Sequence, residues 1–193
     1  SGAAEPLIQG DFPPEGDALI TQEPGTIIGI RTADCVPLLA YDPQRKAVAA
    51  IHAGWKGVLV GIIEASIQAM QKDFKTDPTN LIVAVGATLC PACFEMGPEV
   101  AADFQKKFGP KLPITHGKDD RSHLDLKHAC EIILTGLGIQ TANIEYLPYC
   151  NKCREDLFFS FRRGDENPRP LAELAAPGAA EPLFRQLSFI GLS

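Results

Sequence analysis

Between Thr26 and Phe74 the hydrophobic pattern changes period, and no other feature of the chain constrains its fold as much. Residues 26–30, 36–41 and 47–52 are short apolar runs bounded by turn or polar residues, which predicts three strands. Leu59, Ile62, Ile63, Ile67, Met70 and Phe74 then recur at helical spacing and predict one amphipathic helix. Residues 81–85 predict a further buried strand, and Pro98 opens a helix carrying Val100, Phe104 and Phe108 on one face. Leu126, Cys130, Ile133, Leu134 and Leu137 mark a third helix, closed by Gly138. Residues 144–147, 157–161 and 187–190 read as strands, and 164–182, rich in Pro, Ala and Glu, as a solvent-exposed excursion. The first 25 residues carry Pro6, Pro13, Pro14 and Pro24 and read as an irregular lead-in with at most a short strand. With no internal repeat or linker, this order predicts an α+β or α/β fold over residues 1–193. The expected architecture is one domain, with mixed β-sheets in a sandwich flanked by helices.

A chain of 193 residues buries enough surface to need no covalent staples. Its 18 basic against 24 acidic side chains give a net charge of -6, which disfavours a broad grip on nucleic acid or on an anionic membrane. No apolar run approaches the ~20 residues that span a bilayer, and no secretory leader opens the sequence. The six cysteines are spaced like sites rather than like a disulfide framework, so the expected compartment is the cytoplasm.

Asp42-Pro43-Gln44-Arg45 has turn chemistry. A four-residue loop there pairs Tyr41 with Lys46 and sets Cys35 directly opposite His52, with Cβ atoms about 4.5–5.5 Å apart. A thiolate and an imidazole so placed can share a metal or form a nucleophile–base dyad, and a buried cysteine packed beside a hydrogen-bonded histidine is the plain structural reading. His52 leads into Ala53-Gly54-Trp55-Lys56-Gly57 and then the helix. Two glycines and a lysine at a helix N-terminus present free N–H groups and a cation to an anion such as phosphate. The same glycines also suit a tight turn with Lys56 in solvent. Trp55 can stack on a planar base or cap the core. Asp34, turned away from Cys35 by strand alternation, is a candidate orienting or loop-satisfying carboxylate.

Asp17-Ala18-Leu19-Ile20-Thr21, Thr32-Ala33-Asp34-Cys35-Val36-Pro37 and His52-Ala53-Gly54-Trp55-Lys56-Gly57 resemble blocks of the laccase-domain family, also called multicopper polyphenol oxidase-like proteins. Phe94-Glu95-Met96-Gly97, Phe158-Phe159-Ser160-Phe161-Arg162-Arg163 and Arg185-Gln186-Leu187-Ser188-Phe189-Ile190 continue the resemblance in the same order. It implies a purine nucleoside phosphorylase acting on adenosine, inosine and methylthioadenosine, with adenosine deaminase side activity. It also implies a metal, zinc or alternatively copper, held by two histidines and a cysteine, of which Cys35 and His52 match two. The family's other histidine precedes a glycine, and the best register places Ser1-Gly2 there, so the third ligand and the family's N-terminal part are expected to be missing from the chain. Lys56 stands where arginine is usual, Ala87 where proline is usual and Met96 where valine is usual. Gly54, Trp55, Lys56, Gly57, Arg162 and Arg163 are then the expected substrate- and phosphate-binding residues, and Asp125 also matches a family position.

Cys90-Pro91-Ala92-Cys93 and Cys150-Asn151-Lys152-Cys153 form two C-x-x-C pairs. Their separation exceeds ribbon spacing, which favours a redox disulfide or ordinary buried cysteines over a joint zinc site. His116, His123 and His128 show no ligand spacing. Competing functions are a Cys–His hydrolase with Cys35 as nucleophile, a non-catalytic zinc or redox module, and a copper polyphenol oxidoreductase. The last fits poorly with only four histidines.

Overall fold

Asp42 sets the hairpin around which the sheets are arranged. Its Oδ1 accepts the N–H groups of Gln44 at 2.9 Å and Arg45 at 3.1 Å, as an aspartate opening a turn does. In the computed structural model, which describes residues 16–164 and 185–193, strands β3 (Val36–Asp42) and β4 (Ala47–Ala53) therefore flank the loop Pro43-Gln44-Arg45-Lys46. Lys46 closes the loop at φ 49°. Asp42 pairs with Ala47 and Pro37 with His52. The expected opposition of Cys35 and His52 is thus corrected by two residues, because Asp42 is the last strand residue rather than the first loop residue. An even shift leaves both side chains on one face; an odd one would have separated them.

Strands β1 (Ala18–Thr21), β5 (Ile82–Val85) and β9 (Ile144–Tyr146) complete a five-stranded sheet of order β1-β4-β3-β5-β9. Only the β5–β9 pair is parallel. Val36, Leu38, Ala40, Ala49 and Ile51 belong to the main hydrophobic core. On the opposite face, β2 (Ile27–Thr32) and β10 (Gln186–Gly191) pair antiparallel and lie against β3 and β4. Alanines at 47, 49, 50 and 53 keep β4 thin enough to be buried from both sides. A mixed-sheet sandwich with helices on its other side is what the pattern of runs predicts.

The expected helix is interrupted. Helix α1 (Trp55–Val60) ends at Gly61, whose φ is 94°, and α2 (Ile62–Phe74) begins immediately after it. Gly61 still donates to Gly57 O and accepts from Ala65 N, so the break is a kink at a left-handed glycine. Helices α3 (Pro98–Phe108) and α4 (Leu126–Gly136) form where expected, and Ile63, Ile67, Met70, Phe104 and Leu134 close the core. Each such side chain, fully buried, contributes roughly 1.5–3 kcal/mol.

Two further departures matter for the site. A small sheet of order β6-β8-β7, from β6 (Glu95–Met96), β7 (Ile114–His116) and β8 (Ser122–Leu124), was not foreseen because its strands are two or three residues long. Residues 157–161 are not a strand. Arg154 O accepts the N–H groups of Leu157 and Phe158, and the chain continues into a 3₁₀ turn over Phe161–Arg163. Of the lead-in, only the short strand β1 and its surroundings are described, and the excursion expected after Gly164 lies outside the described residues, as do Ser1 and Gly2. Among the described residues no helix is long and apolar enough to cross a membrane.

Candidate functional site

Three neighbouring strands bring Asp17, His52 and Cys35 together at one end of the large sheet. Asp17 immediately precedes β1, and its carbonyl accepts the His52 N–H at 2.7 Å. Its carboxylate lies 2.8 Å from His52 Nδ1. A carboxylate can only accept, so this contact favours the tautomer with the proton on Nδ1, which presents the Nε2 lone pair as metal-ligating histidines do. A Cβ built on Gly54 would lie 3.2 Å from Cys35 Sγ and 3.7 Å from His52 Nε2. The two donor atoms therefore converge on space that only a glycine at position 54 leaves open. Thiolate and imidazole are zinc's customary donors, so the pair fits that ion and could hold it as two of the three protein ligands a catalytic zinc site uses.

Burial pushes the Cys35 thiol up, the carboxylates of Asp34 and Asp17 push it the same way, and Arg185 opposes them. An uncomplexed Cys35 is thus a protonated thiol, the opposite of what a cysteine nucleophile needs. A bound cation would reverse this balance.

Asp34 is buried and sits in a bend at φ 86°, outside the strand whose alternation was expected to turn it from Cys35, and its carboxylate acts on that thiol. Its Oδ2 accepts the backbone N–H of Arg162 at 2.8 Å, and its carbonyl accepts Thr88 Oγ1 at 2.6 Å. The aspartate beside the thiol therefore ties the Arg162 turn to the sheet. The Arg162 guanidinium donates to Glu95 O at 2.8 Å and sits 5.9 Å from the Phe94 ring centroid. It lines a cleft of about 290 Å³ with Trp55, Phe94, Met96 and Arg121. Cys35 and His52 do not line this cleft. They adjoin it through Asp34, which holds Arg162, and through Gly54, which precedes Trp55.

Lys56 is exposed, with its ammonium 5.4 Å from the Trp55 ring centroid. Gly57 is packed closely, since a Cβ there would lie 3.1 Å from Ile62 Cγ2. Helix α1 runs for six residues before the Gly61 kink. The half-buried Arg163 side chain is engaged by backbone carbonyls. Its Nη1 donates to Asn151 O and Lys152 O, both at 2.7 Å, and its Nη2 to Phe158 O. Asp125 is the N-cap of α4, accepting the His128 N–H at 3.1 Å, and is not among the cleft residues. His116, His123 and His128 bond to Ser122, Pro91 O and Glu131 respectively.

The two C-x-x-C pairs, expected as a redox disulfide or ordinary buried cysteines rather than a joint zinc site, come together. The ligand atoms of Cys90, Cys93, Cys150 and Cys153 all lie within 4.8 Å of one another. All four are free cysteines. Burial raises the Cys150 thiol, but N–H donation from Cys90 and Cys153 and its thiol neighbours outweigh that, and its pKa is lowered to about 7. The Cys93 thiol is pushed up by burial and by hydrogen bonds to Cys153 and Cys90. Asp17, Arg121 and Arg185 were not singled out by residue chemistry. Asp17 was legible only as the first residue of a family-like block, without a role of its own.

A family model described as multi-copper polyphenol oxidoreductase laccase matches residues 3–170. The chain belongs to this family. Among curated laccase-family relatives, a purine nucleoside phosphorylase of Bacteroides thetaiotaomicron is 39% identical over 149 residues, which cover 76% of this chain and 55% of that protein. A protein named adenosine deaminase RL5, from an unknown prokaryotic organism, is 36% identical, covering 76% of this chain and 56% of its own length. The crystal structure of YlmD from Geobacillus stearothermophilus matches with a TM-score of 0.77 at 30% identity, covering 91% of this chain and 60% of that one. The chain thus spans little more than half the length of these relatives, and their mixed α/β fold is the one described above.

Proposed function

We propose that this laccase-family chain is the catalytic domain of a cytoplasmic purine nucleoside phosphorylase that cleaves adenosine, inosine and methylthioadenosine with phosphate and deaminates adenosine as a side reaction. The observation that carries the reading is the convergence of Cys35 Sγ and His52 Nε2 on the open space at Gly54, one residue from a cleft lined by aromatic rings and guanidinium groups. Relatives named purine nucleoside phosphorylase and adenosine deaminase support the same chemistry.

In this scheme Trp55 and Phe94 offer ring faces to a purine base. Arg162, Arg121 and Lys56 supply the positive charge that an overall acidic chain must concentrate locally to hold phosphate. Phosphate held beside the ribose brings negative charge to where an oxocarbenium-like transition state develops a positive one. Asp17 fixes the His52 tautomer and ring orientation, and Asp34 fixes the Arg162 turn. Zinc bound by Cys35 and His52 would supply Lewis acidity. The raised Cys35 thiol argues against the hydrolase alternative.

The test is to incubate the protein with inosine and follow ribose 1-phosphate. Product that appears only with phosphate, and vanishes in Cys35→Ala and His52→Ala variants of unchanged thermal stability, is the expected result. Free ribose formed without phosphate, or full activity in either variant, would refute the assignment.

A further inference from the structure

We infer that Cys90, Cys93, Cys150 and Cys153 form a second, structural zinc site of four thiolates, which fastens the Arg162 turn to the large sheet. Neighbouring parallel strands put the four sulfurs together. Val85 of β5 pairs with Tyr146 of β9, and a parallel bridge between Thr88 and Cys150 extends the ladder. Each chain then leaves the sheet at the same end through a turn of the same C-x-x-C length: Cys90 to Cys93 around a 3₁₀ turn, Cys150 to Cys153 around its counterpart.

Sulfurs at the corners of a tetrahedron of Zn–S bonds of about 2.3 Å stand about 3.8 Å apart. Here Cys93 and Cys153 Sγ are 3.5 Å apart and Cys90 and Cys153 Sγ 4.0 Å apart, with all four within 4.8 Å. A disulfide needs about 2.05 Å between two sulfurs, and all four cysteines are free. Cys150 Sγ also accepts the Cys90 N–H at 3.2 Å, a contact that orients a thiolate ligand. Zinc binding would displace the thiol protons to solvent and join two loops that no described strand pairing connects beyond Cys150. Arg163, which grips Asn151 O, Lys152 O and Phe158 O, carries that anchorage to its neighbour Arg162 in the cleft.

The site is independent of phosphorolysis, and its test reads metal content and backbone protection. In a Cys35→Ala/His52→Ala double variant, elemental analysis should find about one zinc per chain. Cobalt exchanged into it should show the intense ligand-field bands of tetrahedral tetrathiolate coordination. Adding Cys153→Ser, at an exposed position, should abolish that spectrum. Stripping zinc from the otherwise native chain should accelerate amide exchange in residues 150–164 while α2 and α4 stay protected. A double variant without zinc, a cobalt spectrum indifferent to Cys153→Ser, or a native intact mass showing a disulfide among the four cysteines would overturn the inference. So would unchanged exchange after stripping. Absence of phosphorolysis in the native chain, with the cobalt spectrum of the double variant intact, would count against the proposed function alone.

Discussion

Gly54→Ala separates the site from the fold. Gly54 has φ -72° and ψ 161°, which alanine adopts without strain, so restricting the unfolded chain should stabilise the protein by about 0.4–1 kcal/mol. Gly54 is also the N-cap of α1, where glycine is preferred to alanine by an amount of the same order, about 1 kcal/mol. The two effects oppose each other, and the net change in stability should stay within about 1 kcal/mol, or roughly 2–4 °C in Tm for a chain of this size. The site responds differently. The new methyl would stand 3.2 Å from Cys35 Sγ and 3.7 Å from His52 Nε2, in the space where the two donors converge. The sulfur must yield by a few tenths of an ångström, and a ligand of that bulk can no longer sit between the pair. Misplacing reacting groups on the ångström scale lowers rates by about a hundredfold, so phosphorolysis should fall roughly ten- to a hundredfold. The assay is phosphate-dependent base release from inosine, run beside a thermal melt on the same preparations. Undiminished phosphorolysis with an unchanged melt would refute the claim that the reacting centre lies at Gly54.

Lys56→Ala should raise the KM for phosphate roughly ten- to a hundredfold, the worth of one charge-assisted contact, with little change for inosine; a phosphate titration checks it, and Lys56→Arg should be tolerated. Adenosine deamination, which needs no phosphate, should largely survive in Lys56→Ala when ammonia release is measured. Asp17→Asn should weaken zinc at the Cys35–His52 pair about ten- to a hundredfold by loosening His52, as read by competition with a chromogenic chelator. Arg163→Ala should destabilise the fold by about 2–3 kcal/mol, visible in a denaturant melt, because it removes a guanidinium that donates to three backbone carbonyls.

Periodicity revealed those parts of the fold in which each element buries its own face. The strands around 36–53, the core face of α2 and the helices at 98 and 126 are legible because apolar side chains repeat at the spacing of the element that buries them. The segment 157–161 misled for a physical reason. Leu157, Phe158, Phe159 and Phe161 look like a strand, but Arg154 O, the Arg163 guanidinium and the Gln186 side chain engage that backbone, so it needs no strand ladder. Gly61 could not be read as a kink, because Leu59 and Ile62 remain at compatible helical spacing on either side of it.

The site was more legible than the register that led to it. Counting from the turn misplaced the pairing by two residues, yet Cys35 and His52 kept a common face because strand side chains alternate with period two. What the count could not supply was the space between them. With His52 opposite Pro37 and Cys35 beyond the last β3–β4 pair, the two donors lie diagonally, and a side chain at position 54 would stand in the gap. Gly54 thereby gains a reason distinct from the phosphate turn first assigned to it: its missing Cβ is what allows a thiol and an imidazole two residues out of register to face one point. The cysteine pairs fell short of recognition for the converse reason. Their sixty-residue separation in sequence is cancelled by the parallel pairing of β5 with β9, a long-range contact that no local pattern in either C-x-x-C segment encodes.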